Sequence, residues 1–257
     1  MRSTGGIVER PITPQAFEAI AVRSWAPVLL GAKPANLFTF RGRFVADCPD
    51  CSEERCPAAD AEGEADLFAA RRRALSHIVA ELDEKLAREG VRCRVIAWRP
   101  FGALVYAYRP ALLECHLGDD DVAGDLLCLG YPACAHARHG RGLRLAVPAW
   151  RAPFASARDE DFLSACVERL AERFTEQAVP HEVGYFLGYP AADVRGFIEH
   201  EGREFLCCGC WKVYGDVRGA QYRFARYKRC TRRAQALFAA GMSMVDLARD
   251  PARSRVA

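Results

Sequence analysis

No apolar run in this 257-residue chain approaches the roughly 20 residues needed to span a bilayer, and residues 1–14 lack the apolar centre of a secretory signal. Both absences lead to the expectation of a cytoplasmic protein with no membrane partner. Also missing are a Gly-rich phosphate loop, a His-Glu-x-x-His helix and a nucleophile-elbow pentapeptide, which counts against the common nucleotide-binding, zinc-protease and hydrolase classes. Acidic residues are absent over 217–241, where Arg218, Arg223, Arg226, Lys228, Arg229, Arg232 and Arg233 stand. A helix of this kind could face nucleic acid, a phosphate-bearing ligand or an acidic protein surface. The plain alternative needs no partner: arginine stems cover the edge of the core while their heads stay in water. Nucleic-acid binding through 218–233 is therefore a secondary reading.

What is present fits a globular protein, with 51% apolar and 27% charged residues. The chain is long enough to bury one substantial core, and it reads as a single domain over 1–257 with insertions at 47–64 and 133–157. Twelve cysteines would suggest disulfides in an exported protein, but a reducing cytosol keeps thiols free for packing, metal or redox chemistry. Cys93, Cys115, Cys128 and Cys166 sit among apolar neighbours and read as small hydrophobes.

Helical spacing predicts helices over 14–25, opened by Thr13 and Pro14, over 66–88 with Gly90 as stop, and over 159–178. Shorter ones are expected at 110–116 and 121–129, and the basic segment should form a closing helix. Aromatic and β-branched enrichment predicts strands at 36–40, 91–98, 103–109 and 205–214, the middle two joined by a four-residue turn at 99–102. The whole is α+β, a small mainly antiparallel sheet flanked by helices. Leu129-Gly130-Tyr131-Pro132-Ala133 recurs as Leu187-Gly188-Tyr189-Pro190-Ala191, a helix stop used twice with Gly in the left-handed position.

Two segments carry a resemblance: APVLLGAKPANLF over 26–38 and PHEVGYFLGYPAADVRGFIEHEGREFLCCGCWKVYGD over 180–216. Together they resemble the signature of a prokaryotic domain-of-unknown-function family, number 3793. The resemblance implies one compact, soluble domain and implies no reaction. His-Glu before the Gly-Tyr-Pro turn belongs to its pattern, whereas 48–56 lies outside it.

His181 and Glu182 follow Pro180 at the expected first turn of a helix, where the positive dipole end favours anions and disfavours an imidazolium. They are candidate general acid and base; capping the helix is the alternative. Lys33 and Asn36 in a proline-punctuated loop, and Lys212, Tyr214 and Asp216 at a strand end, with Tyr189 and Asp193, are candidate ligand-binding residues, because loops held by a rigid sheet carry function. Residues 181–202 have a helix-turn-helix outline, but Arg195 stands alone against Glu182, Asp193, Glu199 and Glu201, net −3, so DNA binding there is disfavoured.

Cys48-x2-Cys51-x4-Cys56 has the spacing of zinc or iron–sulfur ligands but lacks a fourth, as do Cys207, Cys208 and Cys210; Cys134, His136 and His139 form a third partial set. The reading that follows is a small anionic or metal-containing ligand held by an accessory protein of metal or redox metabolism. An enzyme using His181 and Glu182 is the alternative.

Overall fold

The computed structural model describes residues 11–45, 61–132 and 157–249. Helix α1 (Pro14–Leu29) starts where Thr13 accepts from the Ala16 N–H at 3.2 Å and Pro14 supplies a preset φ. It runs past the expected end because Pro27 sits in its last turn, where little helix remains to break. Strand β1 (Ala35–Arg41) follows, then α2 (Ala61–Ala87), whose start lies inside the segment read as an insertion. The hairpin β2 (Arg92–Arg99) and β3 (Gly102–Tyr108) turns at 99–102 as expected, with pairing carried to Arg99 and Gly102 so that Pro100 and Phe101 are its two central residues. The strands form one antiparallel sheet in the order β1-β3-β2.

On the central strand, Val105 and Ala107 belong to one apolar cluster and Tyr106 to another, as the alternation of side chains along a strand requires. Both faces of the sheet are therefore covered. On the first face lie α1 and α2, with α8 (Val217–Ala239) and α9 (Met244–Arg249) packed along α1. The second face carries α3 (Pro110–Leu117), α4 (Asp120–Cys128), α5 (Ala157–Glu176) and the short α6 (Val183–Phe186). Trp25, Tyr106 and Phe186 are fully buried, each contributing about 1.5–3 kcal/mol by leaving water.

The last expected strand takes a different form. Residues 205–214 make a separate hairpin of β4 (Cys207–Cys208) and β5 (Lys212–Val213), because the chain folds back at Gly209, against which the Phe224 ring lies. This hairpin, α8 and Tyr189 share a third cluster built on Trp211, Phe224 and Tyr227. Helix α7 (Ala191–Glu199) meets β5. Both echoed glycines hold the left-handed conformation, Gly130 at φ 79° and Gly188 at φ 74°.

Arg109, 7% exposed, fastens several elements at once. Its guanidinium donates to the carbonyls of Val28, Leu29, Glu89 and Ala248, and its backbone N–H donates to Pro34 O. The carbonyls left over at the end of α1 are thereby satisfied. Among the described residues no helix is long and apolar enough to cross a membrane.

Candidate functional site

Between α1 and β1 the chain turns sharply, with Ala32 and Lys33 both donating their N–H groups to Pro27 O. Pro34 then abuts Gly188: a Cβ on that glycine would lie 2.3 Å from Pro34 Cγ, so only glycine allows the approach. The two segments that carry the resemblance are therefore in direct contact.

At this joint Lys33 is 4% exposed. Its Nζ donates to Asn36 Oδ1 at 2.8 Å, and it stands 5.2 Å from the centroid of Tyr189 and 5.8 Å from that of Tyr227. Asn36 is oriented by its own donation to Ser24 O at 2.5 Å. Burial pulls the Lys33 ammonium down to about 8, and the nearby Cys210 thiol acts in the opposite direction. Burial likewise raises the Cys210 thiol, against the pull of Lys33 and Lys228. Each of the pair thus favours the charged form of the other while desolvation opposes both.

Tyr189 stacks on Trp211 with centroids 4.8 Å apart, and the Trp211 ring meets Phe224 edge-on at 4.5 Å. Asp193, 3% exposed, holds this wall in place. Its Oδ2 accepts from Trp211 Nε1 at 2.7 Å, and its Oδ1 accepts from the N–H groups of Tyr214 and Gly215 at 2.8 and 3.0 Å. Asp193 is therefore a positioning residue, fully engaged within the protein. His116, at the end of α3, lies beside the Tyr189 backbone, and its Nε2 is buried with no hydrogen-bond partner among the described residues. Burial lowers its pKa, which keeps the imidazole neutral.

The other candidates lie in different surroundings. His181 and Glu182 precede α6 rather than forming its first turn, and Glu182 makes no capping bond. Buried to 3%, the Glu182 carboxylate accepts from Arg173 Nε at 2.8 Å and from the Tyr131 hydroxyl at 3.3 Å. His181 is exposed and packs on Phe197, with centroids 5.3 Å apart. Lys212 donates to Gly202 O at 2.6 Å and lies over Phe197 and Phe205, closing the end of α7. Tyr214 stacks on His200, and Asp216 caps α8 by accepting from the Gly219 N–H at 2.9 Å. Cys48, Cys51, Cys56, Cys134, His136 and His139 lie outside the described residues.

Among the described residues no group of three or more His, Cys, Asp or Glu side chains is placed to hold a metal ion. A surface cavity of about 550 Å³ does exist, lined by Thr39, Arg41, Gly42, Arg43 and Phe101, at the end of β1 opposite Lys33. It shares no residue with the Lys33 cluster.

Sequence reading missed Cys210 and Tyr227 as neighbours of Lys33, and Trp211 and His116 as neighbours of Tyr189. Tyr227 could have been found from its periodicity, since Phe224, Tyr227, Cys230 and Ala234 form the buried stripe of the basic helix. A family model described as "Protein of unknown function (DUF3793)" matches residues 21–140 and 154–248. No curated protein and no solved structure gives a significant match.

Proposed function

Because the chain belongs to the DUF3793 family, whose model spans both the Lys33 loop and the cysteine hairpin, we propose that it is a cytoplasmic binding protein for a small anionic ligand, with Lys33 at the centre of its site. One observation carries this reading. Among the described residues four charged side chains are buried, and three are held by two or more polar partners. Arg109 has four carbonyls, Asp193 has three donors, and Glu182 has a guanidinium and a hydroxyl. Among the described residues Lys33 has the Asn36 oxygen as its one hydrogen-bond acceptor, with two aromatic faces and the Cys210 thiol near by. An ammonium has three donors, and a buried one without an acceptor anion is costly.

A small carboxylate or oxyanion would supply both the charge and the acceptors. The Tyr189 and Tyr227 rings would flank it, and the ligand would enter by displacing the tip of the β4–β5 hairpin. Cys210 beside Lys33 contributes only as a free thiol, which suits a reducing compartment. It also keeps an accessory role in metal or redox metabolism within this proposal. The arrangement favours binding over acid–base catalysis at 181–182, since Glu182 is buried and held by Arg173 while His181 is exposed.

The test is nuclear magnetic resonance of ¹⁵N-lysine-labelled protein titrated with inorganic phosphate, sulfate and acetate. Binding should move the Lys33 Nζ resonance and raise its pKa above about 8, and Lys33→Met should abolish the saturable response. A Lys33 resonance indifferent to all three anions, or a response that survives Lys33→Met, would overturn the assignment.

A further inference from the structure

Helix α8 presents two faces of opposite character. Ala220, Phe224, Tyr227, Cys230 and Ala234 are buried against the body of the protein. At about 3.6 residues per turn, Arg218, Tyr222, Arg229, Arg232 and Arg233 fall within an outward arc of about 100°. Arg218, Arg229 and Arg232 are exposed, and Tyr222 is 66% exposed in their midst. From Arg218 to Arg233 the stripe runs about 22 Å, at about 1.5 Å per residue.

A solvated helix usually offsets its arginines with carboxylates three or four positions away, and α5 does so. There Arg169 pairs with Glu172 and Glu176, and Arg173 pairs with Glu176 and Glu182. In α8, among the described residues, no basic side chain pairs with a carboxylate. Instead, Arg226 and Arg229, Arg229 and Arg232, and Arg229 and Arg233 are like charges at helical contact spacing, which opposes helix formation. Arg218 also occupies the first turn, where the dipole disfavours a cation and no acidic residue is present. A polyanion lying along the stripe would relieve all of these repulsions together.

We infer that the outer face of α8 binds single-stranded nucleic acid, with the arginines taking successive phosphates and Tyr222 stacking on a base. The exposed ring selects this partner. A tyrosine ring amid arginines matches a strand that offers unpaired base faces and phosphates in alternation, whereas a duplex keeps its base faces covered. The element with helix-turn-helix outline, net −3 over residues 181–202, takes no part.

The experiment is fluorescence anisotropy of the full chain with a labelled 12-nucleotide oligo(dT) and the matching oligo(rU). The competitors are a duplex of the same length, an abasic oligomer and polyglutamate. Affinity should fall with salt at a log–log slope of about −3, as expected for four or five neutralised phosphates on a single strand. Tyr222→Ala should weaken binding roughly ten-fold and Tyr222→Trp should restore it. Arg229→Gln should reduce the slope by about 0.7. These positions are on the surface, so unchanged thermal melts will confirm that the variants fold.

Equal affinity for polyglutamate with no effect of Tyr222→Ala would overturn the inference in favour of an acidic protein partner. Preference for the duplex, or binding indifferent to salt, would also overturn it. Lys33→Met leaves this face intact, so loss of anion binding at Lys33 and loss of oligonucleotide binding at α8 are separable results.

Discussion

Glu182 and Lys33 are buried to nearly the same degree, yet the protein surrounds them in opposite ways. The carboxylate beneath α5 is met by a guanidinium and a phenol, whereas the ammonium between α1 and β1 is met by one amide oxygen and two rings. A charge that is answered from within ties elements together. One left unanswered lowers stability and persists where something outside the chain completes it. The two regions therefore differ in what holds them: Glu182 is secured by its neighbours, and Lys33 is the charge that the proposed anion would meet.

The comparison breaks first if the answered charge proves dispensable. Arg173→Met leaves Glu182 with Tyr131 alone, and it should lower stability in urea unfolding by about 2–3 kcal/mol, discounted because Arg173 is partly exposed. The double variant Arg173→Met, Glu182→Leu should recover most of the loss, since it removes the stranded carboxylate. A single variant as stable as the parent would erase the distinction.

Lys33→Met should act with the opposite sign. A fall from 10.5 to about 8 corresponds to about 3 kcal/mol of disfavoured burial, and after loss of the Asn36 bond the variant should be about 1–2 kcal/mol more stable at pH 7. The unfolded chain keeps the Lys33 proton up to about 10.5 and the native chain releases it near 8, so parent stability rises through that interval and the gap closes. Paired urea midpoints from pH 7 to 10.5 check this, and a gap that widens would contradict it.

Smaller effects sharpen the picture. Tyr189→Leu removes one aromatic face from Lys33 and the stack on Trp211, so it should destabilise by about 1 kcal/mol and lower the Lys33 pKa further. Both changes can be followed by thermal melts and lysine resonances. His181→Gln should change stability by less than about 0.5 kcal/mol, because that ring is exposed and packs on the surface of Phe197. It should also leave the response to phosphate unaltered.

The elements most legible in the sequence were those with long, regular patterns. The α2 and α5 stripes, the β2–β3 hairpin and both glycine helix stops follow from local chemistry, and the antiparallel sheet with flanking helices is as expected. Where local signals misled, a distant contact decided. Residues 205–214 have the composition of a strand, but the Phe224 ring against Gly209 folds them into a hairpin. At the site, Lys33, Asn36, Tyr189 and Asp193 could be chosen by residue type. That Lys212 would close the end of α7, and that Tyr227 would reach Lys33 from the basic helix, depends on helix packing, which no stretch of sequence contains by itself.

Arg109 gives the lysine seat a long reach. A single guanidinium grips the carbonyls of Val28 and Leu29, just before the Lys33 turn, together with that of Ala248, 139 positions beyond Arg109 itself. The same side chain thus ties α9 to the stretch of backbone that leads into the Lys33 turn.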